Sequence, residues 1–345
     1  MLISVPLYSE KIHMISELDC CITKRETWID VLRGYAILLV VLGHSSPPFM
    51  KLIYGFHMPL FFTISGYLWR KRKNGVRYYA DKYLRPYFIL CFINLLIECI
   101  RRRLIGEKPS VVGYVIGILY SRGTQEMMPN CSPLWFLTAN FVTLSLFSIN
   151  NDLKCRAMRA IIGLFFVFVS SMLSIYEVHK LPWNIDTALM AILFVDAGHY
   201  LRNNEIRQSN YRVMLGLLAL SIGYCCISLN PIEMVNFNNN RYGNVLLMIT
   251  GALLVSIIHI YCFKKFSHKG LIENYLSWVG KHTLFFMGFD YFVRGLVADI
   301  FRGLNINNWF ISFVFKTILL SMGCFAWNTL IAMIPIRSAR DALEF

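Results

Sequence analysis

Arg33 and His44 place a guanidinium and an imidazole eleven residues apart in Ile29-Asp30-Val31-Leu32-Arg33-Gly34-Tyr35-Ala36-Ile37-Leu38-Leu39-Val40-Val41-Leu42-Gly43-His44, a run that is otherwise apolar. In an α-helix that spacing is almost three turns, so the two side chains differ by about 20° in direction and lie about 16 Å apart along the axis. Asp30, Arg33, Ile37, Val40 or Val41, and His44 then form one stripe. Ionisable groups inside a spanning helix are costly and face a protein interior or a water-filled cavity, so a polar stripe of this length suggests a reaction path. The plainer reading is a basic helix-end anchor plus a buried structural histidine, and the shared face weighs against it. A neutral imidazole suits removal of a proton from a hydroxyl as that oxygen attacks an acyl carbon. Asp30 is too far along the helix to pair with His44, so another group must orient the ring. His57, in the next helix, is a candidate for that task or for a second titrating group; its alternative is a helix-end hydrogen bond.

The elements that must position these residues are membrane helices. The 345-residue chain is 56% hydrophobic and 16% charged, with a mean hydropathy of +0.51. These values lie outside the soluble globular range, and apolar runs of spanning length recur from residue 29 onward. The net charge of +14 does not indicate nucleic acid, because the Lys and Arg sit between hydrophobic runs rather than on one exposed patch. Ten cysteines show no Cys-x-x-Cys and no metal spacing with histidine, so most pack as small hydrophobes and no metal is expected. Residues 1–27 are charged and lack a sustained apolar core, which reads as a short cytoplasmic tail rather than a signal peptide, with Met14 as an alternative start.

The apolar runs predict an all-α polytopic protein with about ten transmembrane helices, near 30–49, 51–69, 84–100, 133–149, 160–177, 184–201, 211–229, 243–262, 281–300 and 308–334. With both termini cytoplasmic, inner segments hold 23 Lys plus Arg and outer segments 9, in line with the positive-inside rule. A transmembrane domain over 28–336 is thus flanked by tails 1–27 and 337–345. One segment disagrees: Arg101, Arg102, Arg103 and Lys108 fall outside, followed by Val111 to Tyr120, too short to cross. It reads as a re-entrant or interfacial piece; an eleventh span would reverse all that follows and put Lys264, Lys265 and Lys269 outside.

Several ordered segments resemble a known family. Phe56-His57-Met58-Pro59-Leu60-Phe61-Phe62-Thr63-Ile64-Ser65-Gly66-Tyr67-Leu68, the basic Arg70-Lys71-Arg72-Lys73, and Lys82-Tyr83-Leu84-Arg85-Pro86-Tyr87 follow Arg33 and His44. In this order the set resembles the acyltransferase-3 family of bacterial membrane acyltransferases. Pro133-Leu134-Trp135-Phe136-Leu137, Pro182-Trp183-Asn184-Ile185-Asp186-Thr187-Ala188 and Gly280-Lys281-His282-Thr283-Leu284 look most like its fucose 4-O-acetylase and sugar O-acetyltransferase branch. The resemblance implies a multi-pass enzyme of the bacterial inner membrane. It would move an acyl group, usually acetyl from acetyl-CoA, to a hydroxyl of a sugar in a surface polysaccharide or lipid-linked precursor. Arg33 and His44 match the family's functional pair, and Arg70 to Lys73 match its basic cytoplasmic loop in kind. Members often carry a histidine after the Gly-Lys-x-Thr-Leu segment; here Asp290 takes that place, so that histidine's role does not carry over.

Acyl-CoA phosphates need cations on the cytoplasmic side, where Arg33, Arg70, Lys71, Arg72, Lys73 and Arg85 are expected. Topology and attraction to anionic lipid would also explain the loop, and an interface anchor would explain Arg85. Trp135, Trp183 and Asp186 are candidates for holding the glycan or glycolipid acceptor, though both tryptophans also suit interfacial anchoring. Asp196, Arg294 and Lys316 are further ionisable residues within spans, and His259 reads as a buried structural histidine. Ser65-Gly66 lies in a helix rather than a strand-to-helix turn, so it reads as close packing, not a serine nucleophile. A transporter or flippase for a glycan or related anionic substrate is the competing function, weakened by the lack of an evident repeat between the halves.

Overall fold

The computed structural model describes residues 26–121, 123–124, 126–178, 180–204, 210–266 and 270–333. The tails expected over 1–27 and 337–345 lie outside these residues except for Glu26 and Thr27, as do Met14 and Lys269. Among the described residues the regular structure is helical: α1 (Thr27–Gly43), α2 (Met50–Tyr54), α3 (His57–Tyr67), α4 (Gly75–Tyr79), α5 (Arg85–Leu104), α6 (Val111–Tyr120) and α7 (Trp135–Asn151). Then follow α8 (Arg156–Ile175), α9 (Ile185–Asn203), α10 (Asn210–Leu229), α11 (Val245–Phe266), α12 (Leu271–Lys281), α13 (Thr283–Gly303) and α14 (Trp309–Ala332). Among the described residues, five stretches are long and apolar enough to cross a membrane: Gly75–Leu104, Ser132–Asn151, Arg156–Ile175, Val245–Lys265 and Trp309–Ala332.

The first two helices depart from the sequence expectation. The first, expected to reach 49, stops at Gly43. Ser46 adopts a positive φ of 57° and Pro47-Pro48 follow, which cannot donate the backbone bonds of a continuing helix. The second, expected as one helix over 51–69, is split between α2 and α3. Pro59 supplies no N–H to the carbonyl of Gly55 and its ring crowds that carbonyl, so the helix restarts after Phe56, whose φ is −141°. The eleven residues of α3 cover about 16 Å, roughly half a hydrocarbon core. Irregular backbone at such depth is tolerated where it lines a cavity, and here it does.

Small residues let the helices beside the site approach closely. A Cβ on Gly34 would collide with the Leu276 carbonyl, and one on Gly280 with the Asp30 carbonyl, so α12 lies directly on α1. The spans expected from sequence end at 262 and resume at 281, so α12 occupies a stretch where no helix is expected. Gly66 and Gly198 meet the Val195 and Thr63 carbonyls in the same way and join α3 to α9. The core consists mainly of aromatic and branched side chains from α1, α3, α7, α9 and α13, including Leu32, Ile37, Phe62, Phe194 and Phe286. α6 is a single ten-residue helix, about half a membrane crossing. The basic cluster at the end of α5 is largely taken up by internal pairing. Arg101 and Arg102 bind the buried Glu98 at 2.8 and 2.7 Å, and Arg102 binds Glu107 at 3.0 Å.

Candidate active site

His44 occupies the capping position that ends α1, its backbone N–H bonded to the Val40 carbonyl at 3.0 Å. α13 runs alongside α1 in the same sense, because Arg33 Nη2 meets Thr283 Oγ1 at 3.4 Å and Asp290 on the same helix meets His44. The imidazole Nδ1 is hydrogen-bonded to Asp290 Oδ2. Asp290 is 1% exposed, and a buried carboxylate bonded to Nδ1 holds a histidine in the tautomer with Nε2 free to accept. It is therefore Asp290, not His57, that reaches the His44 ring. The bond made by His57 runs from its Nδ1 to the Ile53 carbonyl at 2.8 Å, a local helix-end contact.

Both histidines line a cavity of about 300 Å³, together with Tyr54, Trp135, Phe136, Asn236, Asn238, Tyr291 and Arg294. The Tyr291 ring meets His44 edge-on at 4.9 Å and carries the Arg294 guanidinium 5.2 Å from its centroid. Tyr54 stands edge-on to His57 at 4.9 Å. Aromatic faces beside amide groups and one guanidinium suit a polar molecule with apolar faces.

The roof of this cavity is the connection between α10 and α11, which from sequence is simply the stretch between two expected spans. Asn236 and Arg241 exchange backbone bonds of 2.8 and 2.9 Å. Asn230 Nδ2 donates to the Tyr242 carbonyl at 2.9 Å, and Lys51 Nζ to the Asn230 carbonyl at 2.7 Å. Asn238 Nδ2 donates to the Gly123 carbonyl at 2.8 Å, and Lys180 binds the Asn238 side-chain oxygen. Burial of Tyr242 beneath this roof raises its phenol above the ordinary tyrosine range.

Lys316, on α14, is 1% exposed, donates to the Val41 carbonyl at 3.3 Å and lies within electrostatic reach of Asp290 and Arg294. A buried lysine needs compensation, and here its direct polar contact is the helix-end carbonyl of Val41. The sequence had marked Lys316 as ionisable within a span without assigning it a place.

The other expected site residues are spread over three places. Trp135 lines the His44 cavity. Trp183 does not line it: its Nε1 donates to the Leu119 carbonyl at 2.8 Å and its ring packs on Phe141. Asp186 is buried in the first turn of α9, also away from that cavity. Arg70 and Arg72 converge with Lys82 around a small niche between the end of α3 and α4. Arg70 donates to the Trp69 carbonyl at 3.1 Å, and Arg72 stacks over Tyr78 at 4.8 Å. Lys71 instead pairs with Asp152 at 2.6 Å, while Lys73 and Arg85 are exposed.

With this geometry in place, comparison with known proteins is informative. The chain belongs to the acyltransferase-3 family: the family model described as an acyltransferase domain matches residues 26–334. Together with the apolar helices, this makes it a membrane acyltransferase. Nodulation protein NolL of Sinorhizobium fredii (strain NBRC 101917 / NGR234) is 31% identical over 147 residues, covering 38% of this chain and 38% of that protein. The match thus spans well under two thirds of that relative's length. No solved structure matches the chain.

Proposed function

We propose that the protein transfers an acetyl group from acetyl-CoA to a sugar hydroxyl of a surface polysaccharide or its lipid-linked precursor. The observation that carries this reading is the His44–Asp290 pair at the wall of a cavity lined by aromatic and amide side chains. Its setting is a bacterial inner membrane, crossed about ten times with both termini cytoplasmic. α1, α3, α5, α7, α8, α9, α10, α11, α13 and α14 each correspond to one of the spans read from sequence. In this orientation the His44 cavity and its roof belong to the outer half of the bundle, while Arg33, Arg70 and Arg72 belong to the inner half.

The acceptor hydroxyl enters the His44 cavity and presents its proton to Nε2, while Asp290 holds the ring through Nδ1. As the proton moves to Nε2, the hydroxyl oxygen attacks the thioester carbon. The tetrahedral intermediate collapses by breaking the C–S bond, and the departing thiolate of CoA takes the proton back from the imidazolium. Arg33 and the arginines of the α3–α4 connection suit the donor's phosphates, with the pantetheine arm following the stripe of α1 toward His44. Trp135 suits stacking on the acceptor ring. Trp183 and Asp186 are not part of that wall, since neither lines the cavity.

Lys316 is a positioning residue: buried beside Asp290 and bonded to the Val41 carbonyl, it braces the end of α1 from which His44 projects. Lys316→Met is expected to lower kcat about tenfold or more, with KM for donor and acceptor within about twofold of wild type. Steady-state kinetics of the purified variant checks this, and an unchanged kcat rules the role out. The transfer itself is tested by supplying reconstituted protein with labelled acetyl-CoA and a bacterial surface glycan. Label esterified to the glycan supports the proposal, and movement of the glycan without esterification defeats it.

A further inference from the structure

A second cavity, larger than the first at about 730 Å³, opens between α7, α8 and α9 and shares no lining residue with the His44 cavity. It lies at the opposite end of the bundle, where α7 and α9 finish and α8 begins. α8 buries only Ser170 and Ser171, so this cleft opens sideways toward lipid. Its chemistry is divided along its length. Arg156, Arg159, Asn150, Asp196 and His199 line one end. Leu164, Val167 and Ile192 line the rest, about 10 Å deeper along α8 and α9.

Two polar atoms at the charged end are buried without a hydrogen-bond partner: His199 Nδ1 and Asn150 Oδ1. Asn203 Nδ2 donates to His199 Nε2 at 3.0 Å, so the ring proton resides on Nδ1, a donor lacking an acceptor. Asn150 Nδ2 donates to the Arg159 carbonyl at 3.2 Å, which leaves its oxygen as an acceptor lacking a donor. Arg159 binds the Asn151 amide oxygen at 2.9 Å, and among the described residues neither arginine forms an ion pair with Asp196 or any other carboxylate. The cleft therefore offers two guanidinium groups for an anion, a carboxylate for a cation, and an apolar wall beyond them, with the unpartnered His199 Nδ1 and Asn150 Oδ1 buried just behind its polar end. Basic pockets between helices at the cytoplasmic side bind phospholipid headgroups, and the added carboxylate selects a headgroup carrying both charges.

We propose that this cleft seats one zwitterionic aminophospholipid. Its phosphate lies between Arg156 and Arg159, its ammonium at Asp196, and its acyl chains along Leu164, Val167 and Ile192. The site is independent of the acyl-transfer reading, since it shares no residue with that machinery.

Native mass spectrometry of the full-length protein, titrated in detergent with dioleoyl phosphatidylethanolamine, phosphatidylglycerol or phosphatidylcholine, tests it. Wild type should retain one phosphatidylethanolamine at least about tenfold more tightly than either other lipid. The double substitution Arg156→Gln, Arg159→Gln should weaken that binding about tenfold or more, and Asp196→Asn should bring phosphatidylethanolamine and phosphatidylglycerol to within about twofold. Equal retention of the three lipids by wild type overturns the proposal without need of any variant. An undiminished preference for phosphatidylethanolamine in a folded Asp196→Asn protein overturns it as well.

Discussion

Replacing His44 by alanine is expected to lower the turnover of acyl transfer at least about a thousandfold while leaving the fold intact. Nε2 of this ring is the proton acceptor in the proposed step, and without it the acceptor hydroxyl must attack as a neutral alcohol. His57 does not substitute for it, since its Nδ1 is bonded to the Ile53 carbonyl and Asp290 is bonded to His44 instead. The fold should tolerate the change because His44 follows the last residue of α1 and its ring lines a cavity rather than a packed interface. Acetyl transfer by purified protein, beside a thermal unfolding curve matching wild type, is the check.

Asp290→Asn is expected to cost about a hundredfold or more in kcat with little change in KM for either substrate. An amide in place of the carboxylate no longer fixes the proton on Nδ1: it can present its N–H to Nδ1 and turn the ring into the tautomer whose Nε2 is already protonated. It also removes a carboxylate from the neighbourhood of the buried Lys316, so the variant should be less stable as well as slower. Asp290→Ala tests the two effects separately, because it removes the carboxylate without offering a competing donor. Its kcat should exceed that of Asp290→Asn if the tautomer dominates. Rates for the three proteins, each normalised to folded protein, decide the matter.

The parts of this structure that were legible in the sequence are those encoded locally. The Arg33–His44 stripe followed from helical period, and the apolar runs after residue 29 marked the helices that surround it. The break between α2 and α3 was local too, since Pro59 disfavours a continuous helix through Gly55, but a spanning-length apolar run outweighed that signal. α12 was missed for a different reason: its eleven residues mix Glu273, Asn274 and Lys281 with apolar positions, which reads as a loop until Gly280 is seen against α1. The pairing of His44 with Asp290 spans 246 residues, and no spacing rule in a single chain reaches that far. The sequence signals were a carboxylate inside an apolar helix and its place where family members often carry a histidine, and neither names the partner. The roof loop was opaque likewise, because its register depends on asparagines bonding to distant carbonyls, such as Asn238 to Gly123. Trp183 shows the opposite failure. Its motif suggested an acceptor platform, yet its indole caps the carbonyl of Leu119 near the end of α6.

The most direct measurement is a single-turnover rate of labelled acetyl transfer from acetyl-CoA to a sugar acceptor, for wild type and His44→Ala reconstituted side by side. A single turnover isolates bond making from binding and product release. Base catalysis by His44 requires that the variant, folded and still binding acetyl-CoA, form ester at least about a thousandfold more slowly. Ester formation by that folded variant at the wild-type rate would contradict it.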